Sequence, residues 1–253
     1  MRFCDTHIHL SGGVDAEGVD ACLAEASAAG IGPLIQPGVR IAEWGGVLAL
    51  AERHPHVYAA PGLHPRHADE WDDQAAQQLR DLVTHPKVVA VGEIGLDGAV
   101  APAIEMQEKV LRAQLLIALD AGLPVILHCR HKQGKLFDIL TNLNVGQRVG
   151  GVWHGFSAGL AFARQVVDLG FFLGVGPVLL RDNVRKLPEA VAGMPAGALV
   201  LETDYPDMAT SPADLLKVAE KVALLRDIPL EVAAQITTDN ARRLFPKLQD
   251  NNR

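Results

Sequence analysis

The sequence predicts an α/β protein folded as a (β/α)8 TIM barrel with one extra helix near its C-terminal end. Three observations predict it. Short apolar runs alternate with helical patterns through eight units. The chain has 253 residues, close to the roughly 250 residues such barrels take. Ligand-type side chains recur where the apolar runs finish, as a barrel with its chemistry on one rim requires. No low-complexity segment or long linker interrupts the pattern, so residues 1–253 read as a single domain. A doubly wound open sheet is the alternative for alternating units, but no glycine-rich phosphate fingerprint follows the first strand.

The strand candidates run in order from "RFCDTHIHL" (2–10), "GPLIQPG" (32–38) and "VYAAPGL" (57–63) to "KVVAVGEIGL" (87–96) and "PVILHC" (124–129). "VGGVWHGF" (149–156), "FFLGVG" (171–176) and "ALVLETD" (198–204) complete the eight. Helical patterns between them include 15–29, 40–53, 102–121 and 158–169. The first shows an Ala-rich apolar stripe that Gly30 would stop. "SPADLLKVAEKVALLRD" opens with Ser211 as an N-cap and Pro212 at the first helical position. A last helix over about 230–245 lies beyond the eighth unit.

Composition narrows the function classes. The formal charge is −7, so no global basic field exists to hold a long polyanion. An enzyme using metal ions and a few local bases to grip one phosphate stays open, and two divalent ions would move the balance to roughly −3. No apolar run approaches the ~20 residues a membrane span needs, and "MRFCDTHIHL" lacks the features of a secretory signal. Cys4, Cys22 and Cys129 are odd in number and scattered, which fits a reducing cytoplasm.

In "CDTHIHL", His7 and His9 stand two apart, so on a strand both imidazoles share one face. They are either hydrogen-bonded core histidines or metal ligands. Other strand ends supply Glu93, His128, His154 and Asp204, with His64 just after the third strand. In a closed barrel these face one mouth. Buried polar groups converging without partners are costly, and metal ions would satisfy them.

The motifs "DTHIHL", "GLHP", "VGEIGLD", "LPVILHCR", "HGFS" and "LETDYP", with "TTDNARRLF" near the end, resemble those of the TatD-type metal-dependent deoxyribonucleases in order and spacing. The similarity runs over about residues 3–246 and is greatest to the bacterial YjjV-type branch. The resemblance implies an amidohydrolase-like barrel with a two-metal site that hydrolyses phosphodiester bonds, often from the 3′ end of single-stranded DNA, with RNA also open. It implies that His7, His9, Glu93 and Asp204 hold one ion, and that Glu93 bridges to a second held by His128 and His154. A carboxylate can bridge two cations about 3.5–4 Å apart. Asp204 is the candidate to orient the attacking water and take its proton. Mixed imidazole and carboxylate donors suit Zn, Mn, Co or Fe, while Mg stays open.

His64 matches a position expected to contact the substrate or its leaving group; otherwise it bonds the strand-end backbone. Arg130 would sit on the rim, either gripping a phosphate or making a surface ion pair. Asp97 reads as a partner that orients a ligand histidine. Cys129 reads as a small hydrophobe facing the helices. Three rim positions depart from the family: Gly98 replaces an aromatic residue, Ala158 precedes the glycine of "HGFSAG", and "DMAT" follows "TDYP" without an Asn-x-Pro loop. A missing ring could cost about 1–3 kcal/mol of base stacking. Two other functions fit the same residues: a metal-dependent esterase or amidase acting on a small metabolite or aminoacyl-tRNA, and a barrel that binds without turnover. Neither an obligate protein partner nor a membrane is implied.

Overall fold

The computed structural model describes residues 2–10 and 16–248. Among the described residues eight parallel strands alternate with helices: β1 Phe3–Asp5, β2 Ile31–Pro37, β3 Val57–Ala60, β4 Val91–Asp97, β5 Val125–Arg130, β6 Gly151–Trp153, β7 Phe171–Val175 and β8 Leu199–Leu201. Ten α-helices among the described residues accompany them: α1 Ala16–Ala28, α2 Trp44–Arg53, α3 Asp73–Leu82, α4 Ile104–Ala121, α5 Gln133–Asn142, α6 Val145–Arg148, α7 Leu160–Asp168, α8 Lys186–Gly193, α9 Asp214–Arg226 and α10 Leu230–Leu244. No helix among the described residues is long and apolar enough to cross a membrane.

The strands form two ladders, β1-β2-β3 and β4-β5-β6-β7-β8. Neither seam carries a continuous ladder, yet single hydrogen bonds cross both. Thr6 N donates to Leu201 O at 2.9 Å and Asp204 N to His7 O at 2.9 Å on one side. Val89 N donates to Ala59 O at 3.0 Å and Gly92 N to Pro61 O at 3.2 Å on the other.

Strands covered on both faces read as near-continuous apolar runs, and alternation then assigns each residue to helix or barrel interior. Val125 and Leu127 pack toward the helices, while Ile126 between them joins Cys4, Ile35, Tyr58, Val152 and Val200 inside. The end of α10 closes this interior with Ala241, Leu244 and Phe245. Asn240 of that helix anchors it at the start of β8, its amide donating to Leu199 O at 2.7 Å.

Several expected boundaries move. Gly30 stops α1 as predicted, with φ +74°, a conformation glycine adopts without steric cost. The helix expected at Pro212 starts instead at Asp214. Ser211 still caps this segment as predicted: its Oγ accepts from Ala213 N at 2.9 Å and the Asp214 carboxylate accepts from Ser211 N at 3.2 Å. A tighter first turn, with Asp214 N bonded to Ser211 O at 3.1 Å, precedes the regular helix. The first, sixth and eighth strands are three residues each, shorter than their apolar runs, because their distal halves leave the ladder to carry the polar residues of the mouth.

Candidate metal centre

Glu93 owes its direction to an irregularity in β4. Val91 pairs with Val125 and Ile94 with Leu127, so β4 spends one residue more than β5 between these pairs. Val91 and Ile94 both face the helices; the extra residue turns Glu93 inward beside Gly92, as bulges near functional sites do. Gly92 must be small, because a Cβ there would meet Ile126 Cβ at 2.5 Å.

His7 and His9 follow β1, and a buried tie holds them against β8. Asp5 accepts from Thr203 Oγ1 at 2.6 Å, from Thr203 N at 3.1 Å and from His7 N at 3.1 Å. The same turn presents Asp204, which adopts a left-handed φ of +49°, a conformation kept in non-glycine residues only where the surroundings fix it. Burial raises the Asp5 carboxyl to about 7 against the opposing hydrogen bonds from Thr203 and His7.

The six residues expected to converge do so, and Glu93 is their centre. Its Oε2 lies 3.4 Å from His7 Nε2. Its Oε1 lies 2.7 Å from His128 Nδ1 and 3.9 Å from His154 Nε2. Asp204 faces both groups, with Oδ1 3.6 Å from His7 Nε2 and 3.5 Å from His9 Nε2, and Oδ2 3.6 Å from His154 Nε2. The rings of His7 and His154 stack with centroids 3.5 Å apart.

Two further acids fix the imidazoles from behind. Asp97 Oδ2 contacts His128 Nε2 at 3.2 Å, leaving Nδ1 to face Glu93. Glu202 Oε1 lies 3.0 Å from His154 Nδ1, off the line of an ideal hydrogen bond, and accepts from Gly155 N at 2.7 Å. Gly174 makes room for that carboxylate, since a Cβ there would meet Glu202 Oε2 at 2.3 Å. Such partners set which ring nitrogen is offered inward. Asp97 therefore sits where the sequence reading put it. Glu202 was missed, although it stands two residues before Asp204 and so shares its face.

The electrostatics suit a cation. Burial alone raises Glu93, but the imidazoles of His7 and His128 outweigh it and hold the carboxyl well below the usual carboxylate range. Burial also raises Asp204, while His9, His154 and His7 prevail and bring it to about 2. Burial lowers His154, yet Glu202, Asp204 and Glu93 push it up to about 10. Two nitrogens, His7 Nε2 and His9 Nε2, also face each other at 3.0 Å, and His7 Nδ1 is buried without a hydrogen-bond partner among the described residues. Mixed imidazole and carboxylate atoms brought this close form a donor set for a divalent transition metal. His7, His9 and Asp204 make one group with this capacity, and His64, Glu93 and His128 another.

A cavity of about 140 Å³ opens over these groups, lined also by Val39, His64, Arg66 and Asp207. His64 bonds the backbone beyond its strand and also faces the cavity. Its Nδ1 accepts from Arg66 N at 3.1 Å, and its Nε2 points inward, 4.0 Å from Glu93 Oε1. Burial dominates its environment and lowers it to about 4. Arg130 is exposed and does not line the cavity. Arg66, two residues after His64, is the arginine that does. Only its place after "GLHP" hinted at this. Cys129 packs against the main core, and burial raises its thiol to about 12.

Comparison with known proteins accords with this geometry. The family model described as TatD related DNase matches residues 4–246. The chain belongs to the TatD-related DNase family. YjjV of Escherichia coli K12, named a metal-dependent hydrolase, is 36% identical over 96% of this chain and 98% of its own. The crystal structure of YjjV superposes with a TM-score of 0.90, covering 97% of this chain and 98% of that one. A protein of Erwinia tasmaniensis named 3′-5′ ssDNA/RNA exonuclease TatD is 34% identical, covering 95% of this chain and 98% of its own. The fold expectation of eight parallel β/α units stands.

Proposed function

We propose that this TatD-family hydrolase is a cytoplasmic nuclease that removes nucleotides from the 3′ ends of single-stranded DNA and RNA, using two divalent ions. The observation that carries the reading is the split of Glu93: one oxygen faces His7, the other faces His128 and His154. In this reading His7, His9, Glu93 and Asp204 hold one ion, and Glu93, His128 and His154 hold the other. When bound, the ions would supply an activated water and charge stabilisation at the phosphate oxygens.

The chain's own groups do the rest. Hydrolysis joins the water oxygen to phosphorus, breaks the bond from phosphorus to the 3′ oxygen of the shortened strand, and returns a proton to that oxygen. Asp204, ionised at neutral pH, orients the water and accepts its proton for transfer to the leaving oxygen. Neutral His64 accepts at Nδ1 from Arg66 N, so its proton lies on Nε2 and donates into the cavity. The cavity, about 140 Å³, has room for a phosphate group above these residues. The exonuclease names of relatives support the substrate class, and three free cysteines fit a reducing compartment.

End-labelled single strands test the reading. Stepwise shortening from the 3′ end, abolished by EDTA and restored by a divalent metal, is expected. Faster hydrolysis of a carboxylic ester or amide than of any strand would overturn it.

A further inference from the structure

Arg66 and Asp207 both line the mouth of the cavity, and both are exposed. Neither side chain has a hydrogen-bond or ion-pair partner among the described residues, unlike Arg40, which Glu70 holds at 2.7 Å. Arg66 follows β3, and Asp207 follows β8, so they flank the centre from different sides of the rim. The carboxylates beneath them are committed to imidazoles: Glu93 to His7 and His128, Asp97 to His128, Glu202 to His154. The two rim charges are therefore the ones free to meet what surrounds a phosphate in the cavity.

A guanidinium offers paired donors that match phosphate oxygens. A carboxylate repels a phosphate but accepts from a hydroxyl. On this ground, and resting on the exonuclease reading above, we propose that the mouth selects chain ends by charge: Arg66 grips the phosphate that continues the strand, and Asp207 admits a terminal hydroxyl while rejecting a terminal phosphate. Arg66 is then a positioning residue, and Asp207 a specificity-determining one.

The opposite signs make the two residues separable by experiment. Metal-loaded wild-type protein, Arg66→Gln and Asp207→Asn would be compared on single strands ending in a 3′ hydroxyl or a 3′ phosphate. Cleavage would be followed as KM and kcat. Binding would be followed by fluorescence anisotropy on strands whose last linkage is a hydrolysis-resistant phosphorothioate. Wild-type protein should favour the hydroxyl end on the order of tenfold, the size expected for one carboxylate near a dianion in a wet rim. Asp207→Asn should erase most of that ratio. Arg66→Gln should raise KM about tenfold for both ends, with kcat and the ratio kept. Equal handling of both ends by wild-type protein, an unchanged ratio in Asp207→Asn, or an unchanged KM in Arg66→Gln would overturn the proposal. Discrimination in anisotropy without cleavage of either strand would support it while removing the exonuclease reading.

Discussion

Ile126 and His128 lie two residues apart on one face of β5, and Val152 and His154 stand in the same relation at β6. In each pair the earlier residue belongs to an apolar interior with Ile35, Val200 and Phe245. The later one belongs to a cluster of imidazoles and carboxylates gathered on Glu93. One step of the pleat, about 6–7 Å along a strand, separates packing from chemistry. The apolar end needs only complementary volume. The polar end needs each nitrogen and oxygen aimed, which is why Asp97, Glu202 and the Asp5–Thr203 tie stand behind it.

The contrast can be broken from either end. Phe245 is fully buried where α10 closes the apolar interior. Phe245→Ala should cost about 3–5 kcal/mol of stability, read by denaturant unfolding, while metal-loaded molecules that remain folded keep their turnover. Glu202→Gln and Asp97→Asn should do the reverse. Each should lower metal affinity roughly 10–100-fold, read by competition with a chelator, with a smaller change in unfolding midpoint. A Phe245→Ala protein that loses metal affinity as well would show the two ends to be coupled rather than separable.

Much of this was legible in the sequence because strand alternation is strict. Given an eight-unit barrel, the period of two places His128 and His154 inside once Ile126 and Val152 are. Glu93 was legible by residue type but not by phase: only the extra residue between Val91 and Ile94 turns it inward, and no local propensity announces a bulge of that kind. Glu202 was hidden in "ALVLETD", where it reads as the end of an apolar run, although its spacing from Asp204 was available. Arg130 reads as a rim residue from its place two residues past His128, and nothing comparable marks Arg66 in the sequence. The structure instead leaves Arg130 exposed outside the cavity and turns the segment after β3 back over it. The Ser211 cap at the start of α9 was legible as well, since its hydroxyl accepts from Ala213 N and the Asp214 carboxylate accepts from Ser211 N.

The central claim is that Glu93 joins two metal sets through its two oxygens. Elemental analysis of purified wild-type protein and Glu93→Gln, alongside nuclease assays, tests it most directly. Two ions per chain in the wild type are expected, with both ions and at least a thousandfold of the turnover lost in the variant. A Glu93→Gln protein that retains its full metal complement and cuts single strands at the wild-type rate would contradict the account.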